Sequence, residues 1–453
     1  MSERVDVVVV GMGPGGEEVA GKLAEAGLAV VGIEAELVGG ECPYWGCIPS
    51  KMMIRAANLL AEAGRVGGMA GQASASPSWE PVARRIREEA TTDWDDKIAV
   101  DRFVGKGGRF LRGRARLAGP GRVAVGGEMF EACRAVVLAN GQVPAVPPID
   151  GLAGTPYWTN REAVKTAELP ESLVVLGGGA IGLELAQTYR RFGVAVTVVE
   201  ALDRLVPVEE PEVSALVRGV LEAEGVAVHT GAAARRVDHG GGGFRVALGD
   251  GTEVTGQRLL VSTGRRADLT GLGVDTVGLD PAGRAVEVDE RMRAGDRLWA
   301  VGDVTGRGAF THVAMYQAGI AVRDILGQDG PGADYAALPW VTFTDPEIGT
   351  VGFTEQRARE AGVRVATGTA QIPSSARGWI HKAGNEGLVK LVADADRGVL
   401  VGATSAGPTG GEVLGMLTLA VQARVPLDTL RHMIYAYPTF YRAVEDALRD
   451  LTA

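Results

Sequence analysis

The chain has 453 residues, 46% of them hydrophobic and 23% charged, which at roughly 100–200 residues per domain gives about two to four soluble globular domains with cores large enough to need no disulfide or metal staple. Its 46 lysines and arginines face 56 aspartates and glutamates, a net charge of −10, which argues against nucleic acid or an anionic membrane as the main partner. Three cysteines are too few for a secreted disulfide framework, and 66 glycines without a Gly-X-Y period exclude a collagen-like chain and point to many tight turns.

The first element is predicted as a strand through Val7-Val8-Val9-Val10, leading directly into Gly11-Met12-Gly13-Pro14-Gly15-Gly16. This apolar run is too short for a signal peptide, and no stretch approaches the ~20 apolar residues of a membrane span. A cytoplasmic location is expected. The glycine turn opens a predicted helix over residues 17–26 that stops at Gly27, and a second strand then ends in Glu34. Later in the chain the same unit recurs. Leu173-Val174-Val175-Leu176 runs into Gly177-Gly178-Gly179-Ala180-Ile181-Gly182, a helix is predicted over 183–192, and the next strand ends in Glu200. The acid follows the first glycine by 23 residues in both copies (Gly11 to Glu34, Gly177 to Glu200).

Each copy matches the dinucleotide-binding fingerprint. Gly11 and Gly177 permit the tight turn, Gly13 and Gly179 let backbone approach a pyrophosphate, and Gly16 and Gly182 let helix pack on strand. The helix N-termini offer free N–H groups to phosphates, and Glu34 and Glu200 are placed to accept from ribose hydroxyls. Two dinucleotides are therefore predicted. Three further strands end in glycine, at Gly141, Gly264 and Gly302-Asp303, as sheet strands beside a ligand can. Residues 55–130 are expected to form helices and small strands within the first nucleotide domain. From about Asp334 the texture changes to antiparallel-type strands (340–343 and 387–392) and two helices (412–423 and 427–433), a separate α+β domain. The predicted fold class is α/β, with two Rossmann-like domains and this C-terminal α+β domain. The expected boundaries are 1–150 and 273–335 for the first nucleotide domain, 151–272 for the second, and 336–453 for the last.

Cys42 and Cys47 stand in Gly39-Gly40-Glu41-Cys42-Pro43-Tyr44-Trp45-Gly46-Cys47-Ile48-Pro49-Ser50-Lys51, just after the first ribose acid. A helix is predicted to begin near Pro49, and a cysteine at a helix N-terminus gains thiolate character. Four intervening residues allow one turn and hence a disulfide; two unrelated thiols or half of a zinc site are the alternatives. Zinc would need further ligands in a matching pattern, which do not follow, so no metal is expected. Cys133, ahead of an apolar strand, is expected in the core.

The Cys42-x4-Cys47-x-Pro-Ser-Lys51 segment between two fingerprints resembles the FAD-dependent pyridine nucleotide–disulfide oxidoreductases, which include dihydrolipoamide dehydrogenase, glutathione reductase and mercuric reductase. The likeness spans essentially the whole chain. It includes Gly302-Asp303, Ser262-Thr263-Gly264-Arg265, Thr344-Asp345-Pro346-Glu347 and Val351-Gly352-Phe353-Thr354-Glu355. It implies FAD held by Gly11, Gly13, Gly15, Gly16, Glu34, Gly40, Gly141, Asp303, Val313 and Ala314. It implies a nicotinamide cofactor held by Gly177, Gly179, Ile181, Gly182, Glu200 and Gly264. Hydride would pass from the nicotinamide through FAD to a Cys42–Cys47 disulfide, with Cys47 nearer the ring and Cys42 meeting the substrate. Lys51 would lie by the flavin and pair with Glu184. The helix opened by Thr311-His312-Val313-Ala314 would stabilise negative charge on the reduced ring. The resemblance also implies a homodimer with an active site shared between subunits. Glu200 favours NADH over NADPH because it repels a 2′-phosphate, while Arg204 keeps NADPH open.

The resemblance breaks near the C-terminus. The family's disulfide reducers carry a His-Pro-Thr segment there with a glutamate five residues after the histidine. Here the stretch is Tyr437-Pro438-Thr439 with Arg442 at the glutamate position. Tyrosine, with a reference pKa of ~10, donates a proton but is a poor base near neutrality. The chain also ends without the cysteine pair that mercuric reductases use, so mercuric ion is not the expected substrate. Tyr437 and Arg442 are candidates to bind an anionic small-molecule substrate. Three functions remain open at this point: NADH-driven reduction of a disulfide or related sulfur species, diaphorase-like transfer to a quinone or other acceptor, and a redox-sensing binding protein.

Overall fold

The computed structural model describes residues 2–452. The chain divides into two compact units, Met1–Ser50 with Ala83–Ala145 and Gly264–Asp334, and Lys51–Val82 with Val146–Thr263 and Tyr335–Ala453.

The first unit is built on an eight-stranded sheet. Its main path runs Arg293–Gly295, Leu298–Ala300, Glu128–Leu138, Glu3–Val10, Val30–Glu34, Arg109–Arg112. The four strands from Leu298–Ala300 to Val30–Glu34 pair in parallel, with Val7 opposite both Val30 and Ala135. Val7 and Val9 enter one core with Val19 and Leu23 of helix Pro14–Glu25 and Ala318 and Ile325 of helix Thr311–Ile325. Val8 and Val10 enter a second core on the opposite face with Ile33, Phe130 and Leu269. A strand buried on both faces needs an unbroken apolar run, which is why four consecutive valines stand there rather than an alternating pattern. Pro14 opens the first helix, where its missing N–H costs nothing.

Cys133 departs from expectation. Its strand begins at Glu128, five residues before it, because that stretch pairs antiparallel with Arg122–Val125. Between Ala132 and Ala135 the register with strand Glu3–Val10 slips, and Cys133 and Arg134 are both exposed there, with Arg4 Nη2 3.6 Å from the Cys133 sulfur. Burial on both faces starts only at Ala135.

In the second unit, parallel strands Ala227–His229, Ala195–Val199, Ser172–Leu176 and Arg258–Val261 form a four-stranded sheet carrying helix Ala180–Arg191. A three-stranded antiparallel sheet follows, over Ala234–Gly240, Gly243–Leu248 and Glu253–Gly256. The C-terminal region is a five-stranded antiparallel sheet in the order Pro339–Thr342, Glu347–Gly352, Val399–Gly407, Leu388–Asp394, Val365–Gln371. Helices Gly410–Gln422 and Ala443–Arg449 share its core through Leu414, Leu417, Val444 and Leu448. This region leaves large apolar side chains in water, among them Trp379, Leu419 and Ile434, the last 94% exposed. No helix among the described residues is long and apolar enough to cross a membrane.

Candidate active site

The two glycine turns are near-copies in atomic detail. Gly11 and Gly177 have φ of +92° and +105°, and a Cβ on either would lie 2.4 Å from Ala139 O or 2.5 Å from Ser262 O, so any other residue would be both strained and in collision. A Cβ on Gly16 or Gly182 would strike the carbonyl of Gly11 or Gly177, whereas Gly179 faces open space. The acid that follows each turn bridges it in the same way. Glu34 Oε2 accepts from Met12 N–H (2.8 Å) and Oε1 from Glu36 N–H (2.7 Å). Glu200 Oε2 accepts from Gly178 N–H (2.6 Å) and Oε1 from Leu202 N–H (2.8 Å). Ile181 is exposed beside the second turn.

The first unit fits a bound dinucleotide. Gly40, with φ of +66°, comes so close to Gly13 that a Cβ would lie 2.9 Å from its Cα, leaving a cradle free of side chains. Two buried polar atoms of this unit, Asn140 Oδ1 and Arg265 Nε, have no hydrogen-bond partner among the described residues. Arg265 otherwise donates to Gln142 O (2.6 Å) and pairs with Glu41 at 3.5 Å. Burial pushes the Asp303 carboxyl up, against the pull of Arg265. Gly141 is open at φ of +67°, and Val313 and Ala314 lie buried in the first turn of helix Thr311–Ile325. Orphaned polar atoms and a stripped backbone cradle are what a phosphate-rich ligand completes.

Cys42 lies half-buried in a helical turn, Glu41–Tyr44. Cys47 is exposed and opens the 18-residue helix Cys47–Gly64, two residues ahead of the expected start. The Thr311 hydroxyl lies 3.7 Å from Cys47 Sγ, at the first turn of a second helix. Sequence reasoning placed that helix but not this contact. Two helix N-termini thus meet at one sulfur, an arrangement that favours negative charge there.

Lys51 follows Cys47 by one helical turn. In the second unit its Nζ donates to Glu184 Oε2 at 2.7 Å and sits 4.6 Å from the centre of the Phe343 ring. Glu184 is buried on helix Ala180–Arg191, and its other oxygen accepts from Phe343 N–H (2.8 Å). The neighbouring Asp345 receives Arg191 (2.8 Å) and Arg65 (2.7 Å) and exchanges two hydrogen bonds with Gln187. The Thr344-Asp345-Pro346-Glu347 segment is thereby fixed to the same helix as Glu184.

At the C-terminus Tyr437 is 70% exposed, and Arg442 lies over its ring at 5.5 Å while pairing with Glu445 at 3.1 Å. The structure brings Tyr437 and Arg442 together as a unit presented to solvent. Among the described residues no cluster of three or more His, Cys, Asp or Glu side chains could hold a metal.

The family profile described as pyridine nucleotide-disulphide oxidoreductase matches residues 5–318, and the profile for the dimerisation domain of that family matches 338–448. The chain belongs to the pyridine nucleotide–disulfide oxidoreductase family. It is similar to dihydrolipoyl dehydrogenase of Halobacterium salinarum (35% identity over 99% of this chain and 96% of the relative) and to mercuric reductase of Streptomyces lividans (33%, over 99% and 96%). Among solved structures it resembles the Cu(II) complex of RclA, an HOCl-induced flavoprotein disulfide reductase of Escherichia coli, with a TM-score of 0.86 at 25% identity over 99% of both chains. The chain is an NAD(P)H-dependent, FAD-dependent flavoprotein disulfide oxidoreductase, and its dimerisation domain supports a homodimer.

Proposed function

We propose that the enzyme uses NADH to reduce a disulfide or related sulfur substrate through Cys42 and Cys47. The observation that carries this reading is the placement of Cys47 at two helix N-termini within a turn of Lys51. In this reading residues 1–150 and 273–335 hold FAD, 151–272 hold NADH, and 336–453 form the dimer interface of a cytoplasmic enzyme. Gly13, Gly15, Gly16, Gly40 and Glu34 would hold the FAD pyrophosphate and ribose, with Gly141, Asp303, Val313 and Ala314 along the rest of the cofactor. Gly179, Ile181, Gly182, Glu200 and Gly264 would hold the nicotinamide nucleotide. Bound FAD supplies two-electron transfer between the nicotinamide and the cysteine pair.

The remaining steps belong to the chain. With the pair reduced, the Cys42 thiolate attacks one substrate sulfur, forming a Cys42–substrate bond as the substrate S–S bond breaks and the first thiol leaves. Tyr437, contributed by a second copy, donates the proton that leaving sulfur takes up, and Arg442 binds an anionic part of the substrate. The Cys47 thiolate then attacks Cys42, the mixed disulfide breaks, the second thiol departs with a proton from solvent, and the Cys42–Cys47 bond re-forms. The net reaction turns one NADH, one proton and one disulfide into NAD⁺ and two thiols. Counting two thiols released per NADH consumed, over a panel of small disulfides, tests this reading; NADH oxidation with every disulfide at the no-substrate rate would contradict it.

The preference for NADH draws on Arg204. The basic side chain nearest Glu200 in sequence donates to Glu209 O (2.7 Å), Pro207 O (2.7 Å) and Ser214 Oγ (3.0 Å), turned to its own loop. The buried Glu200 carboxylate would repel a 2′-phosphate. The expected kcat/KM for NADH exceeds that for NADPH by about 10²-fold, as for a charge mismatch of a few kcal/mol, and Glu200→Ala shrinks the ratio. Equal use of NADPH by the unaltered enzyme would contradict this.

Tyr437→Phe and Arg442→Ala are each expected to lower disulfide kcat/KM by about 10²-fold, the lower end for losing a proton donor and the range for losing a charged hydrogen bond. Unchanged turnover in both would remove the two residues from the mechanism. It would favour electron transfer to a quinone, a second reading supported by the missing histidine at position 437.

A further inference from the structure

Two of the four residues between the cysteines, Tyr44 and Trp45, are large aromatics, and a single distant side chain holds both. The indoles of Trp45 and Trp94 stack with centroids 5.5 Å apart and planes 24° from parallel. Trp94 Nε1 donates to Tyr44 O at 3.3 Å. All three residues belong to the first unit, and the Tyr44 side chain is buried.

The turn that delivers Trp94 is strained. Thr92, Asp93 and Trp94 have φ of +49°, +56° and +57°, three consecutive non-glycine residues in the left-handed region, the first of them β-branched. L-residues visit that region singly and at a cost, so a run of three persists only where the surroundings impose it. The surroundings here do so. A π-helical turn, Ile86–Ala90, precedes the run, and such turns recur at functional positions. The buried Thr91 hydroxyl lies 3.0 Å from Ile86 O and 3.1 Å from Arg87 O. Asp93 N–H donates to Arg87 O (2.6 Å) and Asp95 N–H to Thr91 O (3.2 Å). Asp96 then accepts from Val38 N–H at 2.6 Å, fastening the far end of the turn to the segment just ahead of the cysteines. A tryptophan that only filled space would require none of this.

We propose that Trp94 is a positioning residue for the redox couple: clamped on Tyr44 and Trp45, it fixes the connection between Cys42 and Cys47 and so raises the effective concentration of each thiol toward the other. The proposal rests on the reading of Cys42 and Cys47 as the redox pair. A connection already held in one conformation loses less entropy on closing the intramolecular bond than a slack one, which lets the thiols diffuse apart. The clamp therefore stabilises the disulfide, makes the couple more reducing, and does so without touching the sulfurs.

The test equilibrates the holoenzyme with dithiothreitol buffers. One dithiol reduces the Cys42–Cys47 bond to two thiols and is itself closed to the cyclic disulfide, a balanced two-electron exchange. Acid quenching, alkylation and mass measurement give the fraction reduced. Trp94→Ala is expected to shift the equilibrium about tenfold toward the dithiol, a potential about 30 mV more positive. Trp45→Ala, which removes the stack and leaves the hydrogen bond from Trp94 to Tyr44 O, is expected to produce part of that shift, and the double variant no more than Trp94→Ala alone. Trp94→Phe, which keeps a stacking ring, is expected to recover most of the wild-type value, and Trp94→Leu keeps bulk should the alanine variant fail to fold. A Trp94→Leu or Trp94→Ala equilibrium within about threefold of wild type would overturn the clamp and leave the redox pair standing. If the unaltered protein never cross-links Cys42 to Cys47 at any buffer ratio, the redox pair and the clamp fall together.

Discussion

Cys42→Ser is expected to lower NADH-dependent thiol release from disulfides by at least about 10³-fold, as loss of an attacking nucleophile does, while NADH oxidation with a quinone stays within about threefold of wild type. The two activities separate because they ask different things of the chain. Disulfide reduction needs a sulfur that can form and break a bond to the substrate, and in this reading Cys42 is that sulfur. Serine has the same shape but no comparable nucleophilicity or capacity to form a mixed disulfide. A quinone accepts electrons without bonding to sulfur. Stopped assays for thiol beside continuous assays for NADH measure both arms on one preparation. Equal loss of both activities would mean that the substitution disturbed the cofactor site, and equal retention would mean that Cys42 takes no part.

Lys390→Met is expected to destabilise the second unit by about 3–5 kcal/mol, lowering Tm by roughly 6–10 °C for a unit of this size. Lys390 stands in the middle of the buried strand Leu388–Asp394 with its side chain 4% exposed. Its ammonium lies 3.0 Å from Glu210, 2.8 Å from Glu212 and 3.0 Å from Glu355. Burial works to lower its pKa, yet the hydrogen bonds to Glu212, Glu355 and Glu210 prevail and hold it well above the usual lysine value. Removing the cation leaves the Glu210 carboxylate, 2% exposed, without its ion-pair partner and with the Glu355 N–H still donating to it at 2.7 Å. Methionine keeps most of the volume, so the loss reports charge rather than a cavity. The deficit also has a direction in pH. The hydrogen bonds from Arg359 and Lys390 lower the folded-state pKa of Glu355. Its contribution is therefore complete above the ordinary glutamate value and is lost as pH falls through the lowered one. The Tm gap between the two proteins should thus be widest near pH 7 and narrow below about pH 4.5. Melting curves across that range check it; a gap under about 2 °C at pH 7 would show that the cluster contributes no net stability.

The features of this molecule that were legible in its sequence are those specified by neighbours along the chain. The glycine turns need particular backbone angles at Gly11 and Gly177, and the helix and acid that follow lie within 23 residues, so strand, turn, helix and acid could be assigned together. Cys42 and Cys47 stood out for the same reason. What the sequence concealed is assembled across long separations. The partners of Lys390 lie about 180 residues before it and 35 before it, and nothing near position 390 distinguishes a buried cluster from an ordinary polar position on a strand. The left-handed run at Thr92-Asp93-Trp94 contains no glycine, so no local signal announced it. Cys133 is exposed because it falls between Ala132 and Ala135, where the register with strand Glu3–Val10 slips, and no local pattern marks that slip. Lys51 and Glu184, 133 residues apart, were joined only through the family resemblance, and the 2.7 Å contact between them is a geometric fact that no spacing rule supplied.

The most direct measurement is an anaerobic NADH titration of the purified holoenzyme, followed by visible absorbance, beside the Cys47→Ser variant. The account predicts a long-wavelength band, from a thiolate lying against oxidised flavin, that grows in as two electrons enter the wild-type protein and is missing from the variant. Simple bleaching of the flavin in both proteins, with no long-wavelength band in either, would contradict it: the cysteines would then take no part in the electron path.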